Sequence, residues 1–249
     1  MTVVSFSSLT NAGYKEIKGK HMQYSKFLNV GVAEKEKEKE GVKLSSKNGM
    51  LLFYAPSFCM GLTSFFVFQH HDPRFVLFVS ALTIHFFKRV LEVLFLHKYS
   101  GSMALESAIV VATSYALSTA TMIYAQFLSQ DAPEPSVDLK YVGLGLFMIG
   151  IMGNLYHHWL LANLRKKGDK GYKIPEGGLF DLVICPHFLF EIFTFVGISS
   201  ISQTPYAVFF TLGTIFYLTG RSYATREWYL SRFGDKFPKN VKAIIPYIF

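Results

Sequence analysis

Four pairs of polar residues stand four positions apart within otherwise apolar stretches of this sequence: His85/Arg89, Lys88/Glu92, Asn154/His158 and His187/Glu191. Residues four positions apart lie on one face of a helix, so the two members of each pair can address the same partner. Ionisable groups inside a bilayer are costly, and they usually face the interior of a helix bundle or a wet cavity. The spacing therefore predicts helices whose charged faces meet around a pocket.

The helices that must carry these pairs are long and apolar. Hydrophobic residues make up 51% of the 249-residue chain and charged residues only 17%, whereas about a quarter of a soluble domain is charged. A spanning helix needs about 20 mostly apolar residues, and six stretches qualify: roughly 49–69, 74–97, 103–128, 140–164, 179–201 and 205–224. We therefore expect an all-α, polytopic membrane protein with about six transmembrane helices around a cofactor pocket that faces the cytosol.

Residues 1–48 are predicted to form an N-terminal cytosolic or interfacial arm ahead of a transmembrane domain over 49–249. The first 13 residues are too short to span a bilayer, so we expect an interfacial segment or a shortened first helix, which would make seven helices. The run EKEKEKE at 34–40 is typical of a solvated helix or a disordered stretch. Cys59 and Cys185 both lie in apolar runs, which indicates neither a disulfide framework nor a zinc ribbon.

The distribution of Lys and Arg predicts the orientation. Of the 25 basic residues, 21 lie in the N-terminal arm and in the connections on the same side, while only Arg74 and Lys140 lie on the other side. Basic residues accumulate on the cytosolic side of membrane proteins, so both termini are expected there. The net charge of +8 is accordingly interpreted as membrane orientation and not as a nucleic-acid-binding face.

With this orientation, every ionisable residue inside a span falls in its cytosolic half, and the lumenal halves are apolar. This pattern predicts an apolar chamber in the lumenal half and a charged entrance on the cytosolic side. Such a pocket suits a lipid substrate in the chamber and a large anionic cofactor at the entrance. The histidine arrays that membrane di-iron enzymes use are absent from the sequence, so no metal is expected.

The C-terminal half of the chain resembles the steroid 5α-reductase family, which also includes polyprenol reductases and very-long-chain enoyl-CoA reductases. The stretches that carry the resemblance are GNLYHHWLLANLRKKGDKGYKIPEGGLFDLVICPHFLFEI, TGRSYATREWYL and FPKNVKAIIPYIF. It covers about residues 50–249 and is strongest over 150–249. The stretch IHFFKRVLEVLFLHKYSGSM is more similar to the enoyl-CoA reductase branch, whereas YKIPEGGLF is similar to the steroid branch.

The resemblance implies a helical protein of the endoplasmic reticulum that uses NADPH to reduce a carbon–carbon double bond conjugated to a carbonyl. It also implies a cofactor site made by Arg89, His97, Asn154, His158, Arg165, Tyr172, Lys173, His187, Glu191, Arg221 and Tyr229. Lys173 stands where an arginine is commoner. It keeps the positive charge but cannot donate two parallel hydrogen bonds as a guanidinium group does. His158 replaces an aspartate of the steroid enzymes, and His187 replaces an asparagine found in many members.

The catalytic positions of the family are less well matched. Steroid reductases carry a glutamate in the first span and a tyrosine in the second, where this chain has Tyr54 and Phe86. Enoyl-CoA reductases use a tyrosine in the fifth span, where this chain has Phe188. Our candidates for the proton donor are Tyr54 and His85, because both are polar groups at the roof of the predicted chamber.

The sequence therefore indicates an NADPH-dependent oxidoreductase that acts on a lipid enone, and the IPEGGLF stretch favours a 3-oxo-Δ4 steroid. The alternatives are a trans-2-enoyl-CoA reductase of fatty-acid elongation, a non-catalytic membrane protein that keeps the cofactor fold and, more distantly, a methyltransferase of the isoprenylcysteine type. The expected partners are a lipid that enters from the bilayer and other lipid-synthesis enzymes, with no nucleic acid. We expect the cofactor side to face the cytosol.

Overall fold

Seven α-helices dominate the described part of the chain. The computed structural model describes residues 1–28, 30, 42–68, 72–164 and 171–249. The helices are α1 (Thr2–Ile17), α2 (Ser46–Val67), α3 (Pro73–Leu91), α4 (Leu105–Leu128), α5 (Lys140–Asn163), α6 (Pro186–Ser202) and α7 (Pro205–Phe233). Two short strands, β1 (Lys43–Ser45) and β2 (Ser102–Ala104), pair antiparallel just ahead of α2 and α4.

Side-chain caps and prolines set where two of the helices begin. The Asp72 carboxylate accepts a hydrogen bond from the N–H of Phe75 at 2.9 Å, and Pro73 occupies the first turn of α3. Thr204 caps α7 in the same way, with Pro205 in its first turn. Each cap satisfies a backbone N–H that the helix leaves without a partner, and proline fits the first turn because no N–H is needed there.

The helices run between two ends of the bundle. At one end, which we call the basic end, α3 and α5 finish together, and Glu92 lies 3.0 Å from the His158 ring. At the opposite end, α4 and α6 finish together, and the Ser202 hydroxyl donates to the Gln126 side chain at 2.7 Å. Helices α2, α4 and α6 therefore start at the basic end, and the others finish there.

The first helix packs along α7, and two contacts show that these helices run parallel. Near the opposite end, the hydroxyl oxygens of Ser5 and Tyr206 lie 2.9 Å apart. Near the basic end, Arg221 donates to the Glu16 carboxylate at 2.6 Å. A helix of 16 residues rises about 24 Å, so α1 accompanies α7 over most of the depth of a bilayer core, which is about 30 Å.

This arrangement corrects the prediction for the N-terminus. The sequence suggests a cytosolic or interfacial arm over 1–48 that opens with an interfacial segment or a shortened first helix. The structure has a helix at Thr2–Ile17 that packs along α7, as the second of these alternatives expects. Met1 begins α1 at the opposite end, while Phe249 stacks on Tyr223 at the basic end, so the two termini do not share a side. Ser, Thr and Asn interrupt the apolar run of α1, which is why hydropathy alone does not reveal it. The EKEKEKE run lies outside the described residues.

The predicted spans match the observed helices except at the second, fifth and sixth. The second, predicted over 74–97, is α-helical only to Leu91 and continues as a π-helix over Glu92–Leu96. The fifth span, predicted over 179–201, becomes an α-helix only at Pro186. The residues before it pair with the C-terminal tail instead, since the N–H of Ile184 donates to the Lys242 carbonyl at 2.8 Å. The sixth span, predicted over 205–224, continues to Phe233. Apolar composition located both helices, but it did not show where hydrogen bonding within α6 is replaced by hydrogen bonding to the tail.

Glycines allow two pairs of helices to approach closely. A Cβ atom on Gly13 would lie 2.5 Å from the carbonyl oxygen of Phe216, which ties α1 to α7. A Cβ atom on Gly143 would lie 2.7 Å from the carbonyl oxygen of Gly197, which ties α5 to α6. Small residues at such contacts are typical of helix packing in membranes, where van der Waals contact drives association.

A buried arginine organises the opposite end. Arg74 is 6% exposed; it donates to the Ile201 carbonyl at 2.9 Å and to Asp138 at 2.8 Å, and it also pairs with Glu134. Asp138 additionally accepts from the N–H of Lys140 at 2.9 Å. The hydrogen bond from Lys140 and the bond from Arg74 hold the pKa of the Asp138 carboxyl below its usual value. The α4–α5 loop is thereby tied to the end of α6.

The helical architecture is consistent with an all-α membrane protein. Helices α2 and α4 are long and apolar enough to cross a membrane, judged by length and composition alone, and α6 is apolar but has only 17 residues. Large apolar side chains are also exposed on the surface of the bundle, among them Phe66, Val67, Met148, Met152 and Trp159. Burial in lipid would remove these side chains from water.

We predict that Gly13→Ala destabilises the protein, because the new methyl group would meet the backbone of α7. Overpacking of this kind costs about 1–3 kcal/mol, which corresponds to a fall in Tm of roughly 2–12 °C for a chain of this size. Gly145→Ala on α5 is the matched control, since a Cβ atom there meets nothing within 4 Å. Thermal unfolding of the detergent-solubilised proteins measures both, and an equal Tm would contradict close α1–α7 packing.

Candidate active site

A cavity of about 830 Å³ extends into the bundle from the basic end. All seven helices contribute to its wall, together with the segment 22–27 that follows α1. That segment is held in place because the N–H of Ala104 donates to the Gln23 carbonyl at 3.1 Å and Tyr24 bridges to Met103 of β2. Cavities of this size are typical of sites for cofactors and small molecules.

The polar wall of the cavity is centred on Arg89. Its guanidinium donates to the Tyr54 hydroxyl at 2.6 Å, and its central carbon lies 4.6 Å from the centre of the Tyr54 ring. On the other side it donates to Glu92 at 2.9 Å and lies 3.0 Å from Nδ1 of His158. Lys88 pairs with the same carboxylate at 3.1 Å. A carboxylate this deeply buried is tolerated only with such partners, because desolvation of a lone charge costs several kcal/mol.

Asn154 connects this wall to α6. Its amide nitrogen donates to the His187 carbonyl at 2.7 Å and to the Glu191 carboxylate at 3.0 Å, and its amide oxygen accepts from Lys88. Glu191 in turn lies 3.4 Å from Nε2 of His85. Both N–H groups of the amide are used, so Asn154 sets the register of α3, α5 and α6 beside the cavity.

Three histidines line the cavity next to this network. The ring centres of His97 and His158 are 4.8 Å apart, and those of His158 and His187 are 5.5 Å apart. One possible ligand atom each from Glu92, His97 and His158 falls within 4.8 Å of the others, a geometry that can hold a metal ion. The carboxylate is already neutralised by Arg89, so a cation there would meet repulsion. The absence of a metal stays a prediction.

Arg221 lies in a second charged cluster, which the sequence did not reveal. It donates to Glu16 at 2.6 Å, and its guanidinium carbon lies 4.3 Å from the ring centre of Tyr24 and 4.1 Å from that of Phe27. His21 lies 2.7 Å from the other carboxylate oxygen. Arg221 lines the cavity, but part of its charge is already compensated by α1.

A smaller cavity of about 230 Å³ adjoins the first at the basic end. Tyr172 and Lys173 line this smaller cavity, while Tyr229 and His97 line both. Lys26 also lines both, and its ammonium lies 5.0 Å from the ring centre of Tyr229. The predicted cofactor residues are therefore divided between two adjoining chambers. Arg165 lies outside the described residues.

The structure distinguishes the two candidate proton donors. Tyr54 lines the larger cavity, whereas His85 is not among the residues that line it. His85 is 1% exposed and sits between the rings of Phe86 and Phe195, with centre distances of 4.9 and 5.0 Å. Phe188, at the other family position, does line the cavity. The geometry therefore favours Tyr54 over His85.

Sequence reasoning missed several polar residues of the wall, Tyr24, Lys26, Tyr115 and Tyr217, and it also missed Glu16, which lies behind the wall and pairs with Arg221. Most of them belong to α1, to the segment after it or to the tyrosines facing that segment. The hydroxyl oxygens of Tyr24 and Tyr217, for example, lie 2.9 Å apart. One signal was present, because Glu16 is the only acidic residue before position 34. A lone carboxylate in such a basic and apolar segment indicates a specific cationic partner.

Comparison with known proteins points to one family. The family profile described as 3-oxo-5-alpha-steroid 4-dehydrogenase matches residues 103–249. A steroid 5-alpha-reductase of Gossypium hirsutum is 43% identical over 107 residues, which is 43% of this chain and 42% of that protein.

Two enoyl-CoA reductases align over longer stretches. A very-long-chain enoyl-CoA reductase of Dictyostelium discoideum is 33% identical over 168 residues, which is 67% of this chain and 55% of that protein. A probable very-long-chain enoyl-CoA reductase of Caenorhabditis elegans is 30% identical over 207 residues, 80% of this chain and 66% of that protein. The chain therefore spans between 42% and 66% of the length of these three relatives.

We predict that Glu16→Gln lowers stability sharply, because it leaves the buried guanidinium of Arg221 without its counter-charge. Breaking a buried ion pair from one side costs about 3–5 kcal/mol, so Tm should fall by roughly 6–20 °C. Asp235→Asn is the control, since Asp235 pairs with Lys239 at the surface and exposed pairs contribute little. Equal effects of the two substitutions on thermal unfolding would contradict the role given to Glu16.

Proposed function

Because the chain belongs to the 3-oxo-5-alpha-steroid 4-dehydrogenase family, we propose that it uses NADPH to reduce a carbon–carbon double bond conjugated to a carbonyl in a lipid. The observation that carries this proposal is the Tyr54 hydroxyl, which lies in the cavity wall and is held by Arg89 at 2.6 Å. The Tyr54 hydroxyl can therefore donate a hydrogen bond to the carbonyl oxygen of a substrate in the cavity. The relatives are reductases by name, which agrees with this chemistry.

The cavity walls suit an anionic dinucleotide. Lys26, Arg89 and Arg221 line the larger cavity, against a single carboxylate, Glu191, among its described lining residues. Lys98 and Lys173 add positive charge in the smaller chamber. Guanidinium groups pair with phosphate oxygens in bidentate fashion, and the three cavity histidines add further hydrogen-bonding atoms. The Nδ1 atom of His187 lacks a hydrogen-bond partner in the described part of the chain, so it retains capacity for a ligand.

The residues that would hold the cofactor are those around the two chambers: Lys26, Arg89, His97, Asn154, His158, Tyr172, Lys173, His187, Glu191, Arg221 and Tyr229. Arg165 stays part of the proposed set on the basis of the resemblance alone. When bound, the reduced nicotinamide would supply a hydride to the β-carbon of the enone. The protein's part is to bind, to orient and to stabilise charge.

Tyr54 performs that last task in the proposed mechanism. As the β-carbon receives hydride, the electron pair of the double bond moves towards the carbonyl oxygen and generates an enolate. The Tyr54 hydroxyl donates a hydrogen bond to that oxygen, and a well-placed donor of this kind contributes roughly 3–4 kcal/mol. The α-carbon then takes a proton that comes ultimately from water, and the carbonyl is restored.

The substrate proposed first is a 3-oxo-Δ4 steroid, because the steroid 5-alpha-reductase of Gossypium hirsutum is the most identical of the three relatives, at 43%. A second candidate is a trans-2-enoyl-CoA. It is supported by the longer alignments with the enoyl-CoA reductases, which cover 67% and 80% of the chain. Both substrates carry a carbonyl next to the double bond, so the same donor serves either one.

The lipid is proposed to enter from the bilayer between α1 and α4. Val4 of α1, 61% exposed, and Ile109 and Leu117 of α4, 51% and 52% exposed, also line the cavity. Apolar side chains that face both the outside and the cavity make a lateral route for a lipid. We propose further that the basic end faces the cytosol in the endoplasmic reticulum membrane, where other enzymes of lipid synthesis are candidate partners.

The proposal predicts NADPH oxidation by the purified protein with either a 3-oxo-Δ4 steroid or a trans-2-enoyl-CoA, followed as loss of NADPH absorbance. Tyr54→Phe should lower kcat by about 100-fold to 1,000-fold, because the enolate oxygen loses its donor. Tyr141→Phe, at a 75% exposed tyrosine of α5, is the matched control and should leave kcat unchanged.

Two results would contradict the proposal. Absence of NADPH binding would remove the reductase function altogether, and binding without turnover on any substrate would favour a non-catalytic protein that keeps the cofactor fold. If Tyr54→Phe keeps full activity while Arg221→Ala abolishes it, the cofactor site stands and the assignment of Tyr54 falls.

A further inference from the structure

The contact between Arg89 and Tyr54 has a direction. A guanidinium group carries only donors and cannot accept a hydrogen bond, so Arg89 must be the donor in the 2.6 Å contact with the phenol oxygen. The phenol proton is therefore not shared with Arg89. Within the described ranges, the Tyr54 hydroxyl makes no other hydrogen bond, so its proton is available to a ligand in the cavity.

Arg89 is itself held rigidly by the protein. One terminal nitrogen donates to Glu92 at 2.9 Å and lies 3.0 Å from His158, while the other terminal nitrogen is directed to Tyr54. The guanidinium also covers the Tyr54 ring, with 4.6 Å from its central carbon to the ring centre. These contacts fix both the place of the phenol and the direction of its oxygen. A cofactor phosphate that displaced either of these contacts would release the phenol, whereas the Nε–H of Arg89 has no hydrogen-bond partner among the described residues.

A second arginine–tyrosine contact in the same cavity shows that stacking alone does not create this arrangement. The guanidinium carbon of Arg221 lies 4.3 Å from the ring centre of Tyr24. The hydrogen bond from Arg221 to Tyr24, however, goes to the backbone carbonyl at 3.5 Å, and the Tyr24 hydroxyl is paired with that of Tyr217 at 2.9 Å. Of these two tyrosines, only Tyr54 has a cation on its oxygen.

We infer that Arg89 is a positioning residue that acts on the reaction through Tyr54, and that the pair serves as the electrophile for the substrate carbonyl. This inference rests on the proposed function and departs from the assignment of Arg89 as a partner of the cofactor phosphates. The cation withdraws electron density from the phenol oxygen, so the O–H bond donates more strongly as the substrate oxygen becomes negative.

The step balances with the reductant already proposed. When bound, the reduced nicotinamide would supply the hydride for a C–H bond at the β-carbon, and the π-electron pair would move to the carbonyl oxygen. That oxygen is stabilised by the Tyr54 O–H, whose own oxygen is held by Arg89. A proton from water then bonds to the α-carbon, the carbonyl re-forms, and Tyr54 retains its proton.

The test is a double-mutant cycle with Tyr54→Phe and Arg89→Gln, with kcat measured on the substrate that the wild-type protein turns over. Arg89→Gln should lower kcat by roughly 10-fold to 100-fold and leave the Kd of NADPH, followed by tryptophan fluorescence, within about threefold. In the Tyr54→Phe background, Arg89→Gln should lower kcat no further, because residues that act through one another are not additive.

Arg89→Lys provides a second arm if Arg89→Gln folds poorly, because an ammonium keeps the charge and a single donor. It should recover part of kcat and show a larger solvent deuterium isotope effect than the wild type, which a purely structural role would not produce. Arg232→Gln, at an exposed arginine on α7, controls for the loss of charge.

Each remaining outcome overturns the inference in a recognisable way. Losses in kcat that multiply in the double variant would show that Arg89 acts independently of Tyr54. A Kd for NADPH raised tenfold or more by Arg89→Gln, with kcat at saturation unchanged, would return Arg89 to the cofactor. A wild-type protein without turnover would overturn the proposed function together with this inference, whereas the first two outcomes leave the proposed function intact.

Discussion

Charges buried in this bundle have to be compensated within a few ångströms, and that constraint organises its interior. Glu92, 2% exposed, is surrounded by Arg89, Lys88 and His158, whose distances to it lie between 2.9 and 3.1 Å. A single unpaired ion in such surroundings would cost several kcal/mol. Because the partners come from α3 and α5, satisfying the carboxylate also fixes how these helices meet at the basic end.

The same constraint operates on the other side of the cavity. Glu16 and Arg221 pair at 2.6 Å and join the end of α1 to α7, while glycine contacts bring the two helices together along their length. The cavity lies between the two charged clusters, and its walls are therefore positioned by electrostatic contacts at the basic end. At the opposite end, Arg74 pairs with Glu134 and Asp138 and so holds a loop. Among the residues described there, no comparable polar wall remains.

The unusual residues of the substrate side acquire a physical meaning in this setting. The resemblance places Tyr54 where the family has a glutamate, and Phe86 and Phe188 where its two branches have a tyrosine. A carboxylate next to Arg89 would form another ion pair, whereas a phenol accepts the guanidinium donor and keeps its own proton. In the proposed mechanism the chain therefore keeps one proton donor in the cavity wall but changes the residue that carries it.

The sequence alone determined the helical class, the approximate positions of most helices, the grouping of Asn154, His158, His187 and Glu191, and the family. These features follow from hydropathy, from four-residue spacing and from local motifs. Only the tertiary structure decided that α1 packs along α7, that Glu16 neutralises Arg221, that His85 lies behind the cavity wall, and that Arg89 is directed to Tyr54. Each of these depends on contacts between residues far apart in the chain, and no local pattern encodes which distant partner compensates a buried charge.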